Sequence, residues 1–136
     1  MHEADVELLK DNMLEMPFAH TLLGRLILAL SMKSFKEHKI EPFVVHKHLK
    51  DGDTLNDYGF DIQIVELPGH TKGSIGLLVG KTDIIVGDAL MNMFYPSKSM
   101  LYGNRKHMED SALKIFNSGA NTIHFGHGKS ISNRPM

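Results

Sequence analysis

Three short glycine-containing segments each carry one side chain that could bind a metal ion. They are Leu67–Ser74 (LPGHTKGS), Val86–Ala89 (VGDA) and Phe125–Gly128 (FGHG). Each follows a predicted strand, and each places one of His70, Asp88 and His127 at or just beyond the end of that strand. Glycine permits tight turns and close approach of other groups, and a strand end holds a ligand rigidly. Two imidazoles and one carboxylate suit zinc, iron or manganese better than calcium or magnesium. Taken singly, each segment is more often an ordinary polar loop.

Taken together and in this order, the three segments resemble the second half of the metallo-β-lactamase superfamily. PGHTKGS is similar to the family's PGHT-x-GS segment, VGDAL to its GD segment and GHG to its final histidine segment. The resemblance covers roughly Phe43–Ser130, and the KDGDTL turn before the second predicted strand is also typical. The opening MHEADVELL looks like the region that follows a strand midway through the family's fold.

The resemblance implies a role for each donor. His70 would bind the first metal of a two-metal site, Asp88 would bridge both metals, and His127 would bind the second. In this family such a site activates water for attack on an ester, thioester, lactone, lactam or phosphodiester, because the metal lowers the pKa of water and polarises the scissile group. Zinc is the expected cofactor, with iron and manganese as alternatives.

One family segment, HxHxDH, is absent from this chain, and it would supply most of the remaining ligands. The nearest string is HKHLKD, which has the HxH spacing at His46 and His48 but lacks the adjacent Asp-His. Because this string lies on a predicted strand, we expect both histidines to be an outward-facing pair. We therefore expect weak binding of a single ion, or an empty site. The chain is predicted to be a single truncated domain, with a helical lead-in at 1–42 and a strand-rich C-terminal half at 43–130. Whether Met1 is a natural start or a fragment boundary stays open.

The other histidines are predicted to lie on the surface or to pack. Nine histidines are more than an average chain of this length carries. Those expected on the solvated surface are His2, His20, His38 and His107. His124, three residues before His127, is expected to pack or to support the site.

Hydrophobic periodicity predicts the elements that position these residues. Helices are expected at Glu3–Lys10, His20–Lys36 and Glu109–Asn117, with a break at Pro17 after the first. Strands are expected at Phe43–Leu49, Phe60–Leu67, Ser74–Val79, Asp83–Val86 and Thr122–Phe125. Turns are expected at Lys50–Asp53 and at Gly80–Thr82, the second joining two strands as a hairpin. Within the second strand, the residues expected to face the core are Phe60, Ile62, Ile64 and Leu67.

The expected fold is α/β, a mixed sheet of about five strands with helices on one face, which is half of a metallo-β-lactamase-type αββα sandwich. The other, apolar face of such a sheet would be open to water and would favour association. We therefore expect a homodimer or a higher even oligomer, formed through the open sheet face or by exchange of the N-terminal helices at 3–36.

Composition excludes several other classes of function. The 136 residues include no cysteine, so disulfides, thiolate metal sites and cysteine nucleophiles are ruled out. The formal net charge of −1 gives no basic excess to attract nucleic acid or an anionic membrane. The N-terminus has no signal-peptide pattern, and the apolar stretch Leu22–Ala29 is too short to span a bilayer, so we expect a cytoplasmic protein.

Two functions remain open at this point. The first is a metal-dependent hydrolase of the resembled superfamily, or the C-terminal part of one, expected to be inactive alone. The second is a non-catalytic, self-associating remnant that binds at most one metal weakly. The absent HxHxDH favours the second interpretation for the chain as it stands. The sequence does not identify the substrate, although Asn92–Lys106 is the segment expected to line a cleft.

Overall fold

The computed structural model describes residues 1–9, 18–19, 22–37, 41 and 43–133. Within these residues the helices are α1 (Leu22–Glu37) and α2 (Arg105–Phe116), with short 3-10 turns at Glu3–Leu9, Asn56–Tyr58 and Gly87–Ala89. The strands are β1 (Phe18–Ala19), β2 (Ile62–Glu66), β3 (Ile75–Val79), β4 (Asp83–Ile85), β5 (Leu90–Met91), β6 (Ser97–Lys98), β7 (Leu101–Tyr102), β8 (Thr122–His124) and β9 (Ile131–Ser132). No helix among the described residues is long and apolar enough to span a membrane.

The main sheet is mixed and has five strands in the order β2-β3-β4-β8-β9, which confirms the predicted fold class. All neighbours in it are antiparallel except β4 and β8, which run parallel. A parallel pair needs a crossover, and α2 lies in the connection between β4 and β8. Since β2 and β4 are both antiparallel to β3, the strands β2, β4 and β8 all point the same way. Their C-terminal ends therefore meet at one edge of the sheet.

The core lies between this sheet and α2. Ile84 and Ile123 are register partners in β4 and β8, and both are fully buried with Ile115 of α2. Burying each such side chain stabilises the fold by about 1.5–3 kcal/mol. The helix begins four residues earlier than the periodicity predicts because Asn104 caps it, its Oδ1 accepting from the His107 N–H at 3.0 Å.

The predicted strand at Phe43–Leu49 is wrong, since the described residues 43–49 form no strand. Their alternating pattern has no ladder partner. Instead the Leu49 N–H donates to the Met1 carbonyl at 2.9 Å, and Val44 is 74% exposed. The inward placement of Phe60 is also wrong, because it precedes β2 and is 57% exposed.

The two turn predictions are confirmed. At Lys50–Asp53 the Asp53 N–H donates a hydrogen bond to the Lys50 carbonyl, 3.1 Å long. At Gly80–Thr82 the hairpin is shown by the antiparallel pairing of β3 with β4. Strands β1, β5, β6, β7 and β9 were not predicted, and each is only two residues long. Pro17, His20 and His38 lie outside the described residues.

The face of the sheet opposite α2 is only partly covered. Ile64, Leu77 and Ile85 lie on it as cross-strand neighbours. Ile64 is fully buried, and the chain at 52–55 extends the sheet beside β2, with the Asp53 carbonyl accepting from the Ile64 N–H at 2.7 Å. Ile85, nearer the middle of the sheet, is 41% exposed.

Candidate metal centre

His70 lies in the loop between β2 and β3. The loop closes through two hydrogen bonds to Ser74, whose carbonyl accepts from the Leu67 N–H at 2.8 Å and whose Oγ accepts from the Thr71 N–H at 3.0 Å. Gly69 has a φ of +142° and packs so tightly on α2 that an added Cβ would lie 2.6 Å from the Met108 Cα. Glycine is therefore required next to His70, as the sequence pattern suggested.

The imidazole of His70 has a defined orientation. Its Nδ1 lies 2.7 Å from the Leu101 carbonyl oxygen. Since a carbonyl can only accept, Nδ1 carries a hydrogen and donates it, and Nε2 is the ring nitrogen turned towards Asp88. A backbone acceptor of this kind commonly orients histidine ligands in metal sites.

Asp88 lies between the two histidines. It follows β4 in the turn at Gly87–Ala89, and its Oδ2 is 3.9 Å from the His70 Nε2 while its Oδ1 is 3.5 Å from the His127 Nε2. Gly126, in the segment after β8, allows this approach, because an added Cβ there would lie 2.6 Å from Asp88 Oδ1. The structure thus brings together the three donors that the sequence singled out.

The separations within the site, 3.5 and 3.9 Å, are longer than those of two ligands on one ion. Two donors at about 2.0 Å from a tetrahedral zinc ion lie about 3.3 Å apart. Each oxygen of Asp88 lies beyond this distance from a different imidazole, so the arrangement consists of two pairs that share a carboxylate. Among the described residues, no group of three or more His, Asp or Glu side chains is arranged to hold an ion. By type, two imidazoles and a carboxylate are ligands that transition metals accept, and among the described residues they form two pairs rather than one group of three.

The centre is open to solvent on one side. The side chain of His70 is 27% exposed, that of Asp88 40% and that of His127 63%. On the protein side, the His127 carbonyl accepts from the Asn92 N–H at 2.8 Å, which ties the last loop to the chain after β5. The carboxylate and both imidazoles are therefore accessible from solvent.

Sequence reasoning missed Asp5, which holds the loop of His70 from the far end of the chain. Asp5 is 8% exposed, and its carboxylate accepts from the Thr71 hydroxyl and from the Gly73 N–H, both at 2.7 Å. Thr71 also bonds the Ser74 hydroxyl at 2.7 Å. In the sequence Asp5 is one acid among several in a short amphipathic segment, and no local signal distinguishes it.

His124 supports the sheet rather than the donors. Its Nε2 bonds Asp83 Oδ1 and its Nδ1 bonds the Ser130 hydroxyl, each at 2.8 Å. The hydrogen bond from His124 is the main cause that lowers the pKa of Asp83, and a second bond from Thr82 adds to it.

Four other histidines belong to the described residues. His46, His48 and His107 are exposed. The surface role predicted for His2 is wrong, because its Nε2 bonds Glu66 Oε1 at 2.9 Å and its side chain is 20% exposed.

Solved structures share this backbone arrangement. A metallo-beta-lactamase family protein from Thermus thermophilus, TTHA1429, superposes with a TM-score of 0.67 at 18% identity over 98% of this chain and 47% of its own. The protein TTHA1623, solved in a di-iron-bound form, gives 0.66 at 18% identity over 98% of this chain and 58% of its own. An archaeal metallo-beta-lactamase superfamily protein from Sulfolobus tokodaii gives 0.59 at 14% identity over 83% and 48%.

These matches show a metallo-β-lactamase-type fold, in agreement with the resemblance of the motifs. The chain spans about half the length of the structures it matches. No protein-family model matches it.

Proposed function

We propose that this chain, which has the metallo-β-lactamase-type fold, forms the metal-binding part of a hydrolase whose ligands include His70, Asp88 and His127. The observation that carries the proposal is the position of Asp88, whose two oxygens face two different imidazoles at 3.9 and 3.5 Å. The di-iron form of a protein with the same fold supports it.

The donors fall into two pairs. His70 and Asp88 Oδ2 would hold one ion, and His127 and Asp88 Oδ1 a second. When bound, zinc, iron or manganese supplies Lewis-acid polarisation and acidifies water for attack on an ester-type bond. The Leu101 carbonyl keeps the His70 Nε2 available, and the missing side chain at Gly126 leaves room for the Asp88 carboxylate. Because two described donors face each position, we expect the chain alone to bind one ion weakly and to hydrolyse esters, thioesters, lactones and β-lactams near the background rate.

Metal titration tests this assignment. The protein is freed of metal with a chelator and titrated with zinc by calorimetry, alongside His70→Ala, Asp88→Ala and the control His107→Ala. His107 is an exposed histidine in the first turn of α2 and is not one of the three proposed ligands. We expect weak uptake of about one ion, at least tenfold weaker in the two site variants and unchanged in the control.

Three outcomes would contradict the proposal. One is zinc uptake that survives both site variants, and another is loss of uptake in His107→Ala. The third is two ions per chain retained through dialysis, which would mean that the site has more ligands than these three. Robust hydrolysis that disappears in Asp88→Ala would refute the expectation of background activity while supporting the site.

A second candidate function is self-association without catalysis, and the surface of α1 favours it. Leu22, Leu26 and Leu30, spaced four residues apart on one face of the helix, are 85%, 58% and 63% exposed. A stripe of this kind is typical of an interface between helices. The half-open sheet face around Ile85 offers a second surface. Either surface could hold a second copy of the chain, by packing sheet on sheet or by exchange of the N-terminal helices.

Light scattering after size exclusion tests this candidate. We expect a mass of twice 15.2 kDa at micromolar concentration, shifted towards the monomer in a Leu26→Glu variant and unaffected by Leu113→Glu, an exposed leucine on α2. A monodisperse monomer of the wild-type chain would exclude self-association. Metal uptake by that monomer would leave the first candidate standing.

A further inference from the structure

A cavity of about 540 Å³ is lined by residues of the chain at 91–102 and by side chains of α1 and α2. Pockets that bind small molecules have volumes of about 300–1,000 Å³, so this one can hold a ligand rather than a few waters. Its walls include four of the nine methionines of the chain, at Met91, Met93, Met100 and Met108. We refer to it as the methionine cavity.

The methionine cavity and the metal donors share the same stretches of backbone. Tyr102, a wall residue, follows Leu101, whose carbonyl orients His70 at 2.7 Å. Met91, another wall residue, precedes Asn92, whose N–H donates to the His127 carbonyl at 2.8 Å. The walls of the cavity are therefore linked to His70 and His127 through neighbouring residues of the same backbone segments.

The walls are apolar and adaptable. Met91 and Met108 are 8% and 2% exposed and form the floor, while Phe94 and Tyr95 at the mouth are 81% and 70% exposed. Methionine is flexible and polarisable and adapts to irregular apolar ligands. Two adjacent exposed aromatic residues beside an apolar cavity are typical of a binding site. A ligand that fits these walls therefore has an apolar body.

The rim of the methionine cavity carries a net positive charge. The Lys98 Nζ and the Arg105 Nε both donate to Glu109 Oε1, at 3.0 and 3.1 Å. The hydrogen bond from Lys98, reinforced by the one from Arg105, lowers the pKa of Glu109, so its carboxylate stays ionised. Two cations share one anion, and the surplus charge of +1 complements one negative group on a ligand.

We propose that the methionine cavity binds an aliphatic monocarboxylate, with its chain along the methionines and its carboxylate at Lys98 and Arg105.

NMR of the methionine methyl groups provides the test, because four of these groups line the cavity. The full chain is labelled at the methionine methyl groups and titrated with octanoate, acetate or octanol. We expect octanoate to shift the resonances of Met91, Met100 and Met108, and acetate at the same concentration to leave them in place. Arg105→Gln should weaken octanoate binding about twofold to fivefold without affecting octanol, because its side chain is exposed and its charge is screened.

Lys106→Gln is the matched control. Lys106 also forms a pair four residues along α2, with Asp110 at 3.2 Å, and it does not line the cavity. The proposal is overturned if octanoate shifts none of the four wall methionines, if acetate shifts them equally, or if Lys106→Gln weakens octanoate as much as Arg105→Gln. Octanoate binding in a protein that takes up no zinc would retain the cavity assignment and reject the hydrolase. Zinc uptake without octanoate binding would reject the cavity assignment and retain the proposed metal site.

Discussion

Asp5 provides the sharpest test of how the metal-binding loop is held. Its buried carboxylate accepts from the Gly73 N–H and from the Thr71 hydroxyl, each at 2.7 Å, across 68 and 66 residues of chain. In Asp5→Ala the Gly73 N–H is left buried without this acceptor, whereas Thr71 keeps its bond to the Ser74 hydroxyl.

The expected cost follows from these two bonds. A hydrogen bond to a charged group contributes about 1.5–3 kcal/mol, and a buried donor left unsatisfied costs about 1–3 kcal/mol. Because Thr71 retains one partner, we expect Asp5→Ala to lower the free energy of unfolding by about 2–4 kcal/mol rather than by the sum of both bonds. Asp5→Asn keeps an acceptor for the Gly73 N–H but presents an NH2 donor to Thr71 in place of the second carboxylate oxygen. The Thr71 hydroxyl can accept from that NH2 and donate to Ser74, so the cost should be smaller, about 1 kcal/mol.

Urea denaturation followed by circular dichroism measures these differences, with Glu3→Gln as the control. Glu3 belongs to the same 3-10 turn and is exposed, so its substitution should change the unfolding free energy by less than about 0.5 kcal/mol. Hydrogen exchange at the Gly73 amide adds a local readout and should accelerate in Asp5→Ala. The reasoning is refuted if Asp5→Ala and Glu3→Gln are equally stable, or if the Gly73 amide exchanges at the same rate in both.

Two further predictions concern glycine and pH. Gly69→Ala should lower the unfolding free energy by more than about 2 kcal/mol, since its Cβ would overlap the Met108 backbone. The control Gly52→Ala, at a φ of +84° and with no atom within 4 Å of the added Cβ, should cost only about 1 kcal/mol. Thermal melts that show equal losses for the two variants would contradict this. Because the hydrogen bond from His124 lowers the pKa of Asp83 in the folded state, its stabilisation is present above the unfolded value of 3.8 and is lost as the pH falls through the lower folded value. Asp83→Asn should therefore flatten the decline of stability below pH 3.8, and an unchanged acid profile would be the contrary result.

Much of the fold follows from local pattern. Alternation and β-branching predict β2, β3, β4 and β8 to within two residues at their ends, and the 3.6-residue period predicts α2. These signals work because each strand or helix buries one face, and the period of the apolar residues reports that face. The same alternation at Phe43–Leu49 is misleading, because a strand also needs a partner and the described chain offers it the N-terminal segment instead.

The methionine cavity and the support of Asp5 could not be predicted in the same way. The segment Asn92–Lys106 was expected to line a cleft, and most of the named walls lie there, yet Met91 and Met108 flank it and complete the floor. Asp5 and Gly73 are far apart in the sequence, and contacts of that range leave no periodic trace in either segment.

The sequence alone determines the donor chemistry, since two histidines and one aspartate each stand beside glycine at the end of a strand. Only the tertiary structure decides that they meet. β4 pairs with β8 in the parallel sense, and both β2 and β4 pair with β3 in the antiparallel sense. The C-terminal ends of β2, β4 and β8 therefore lie on the same side of the sheet. Strand direction depends on long-range pairing and on the crossover through α2, and neither is encoded in the pattern of any single segment.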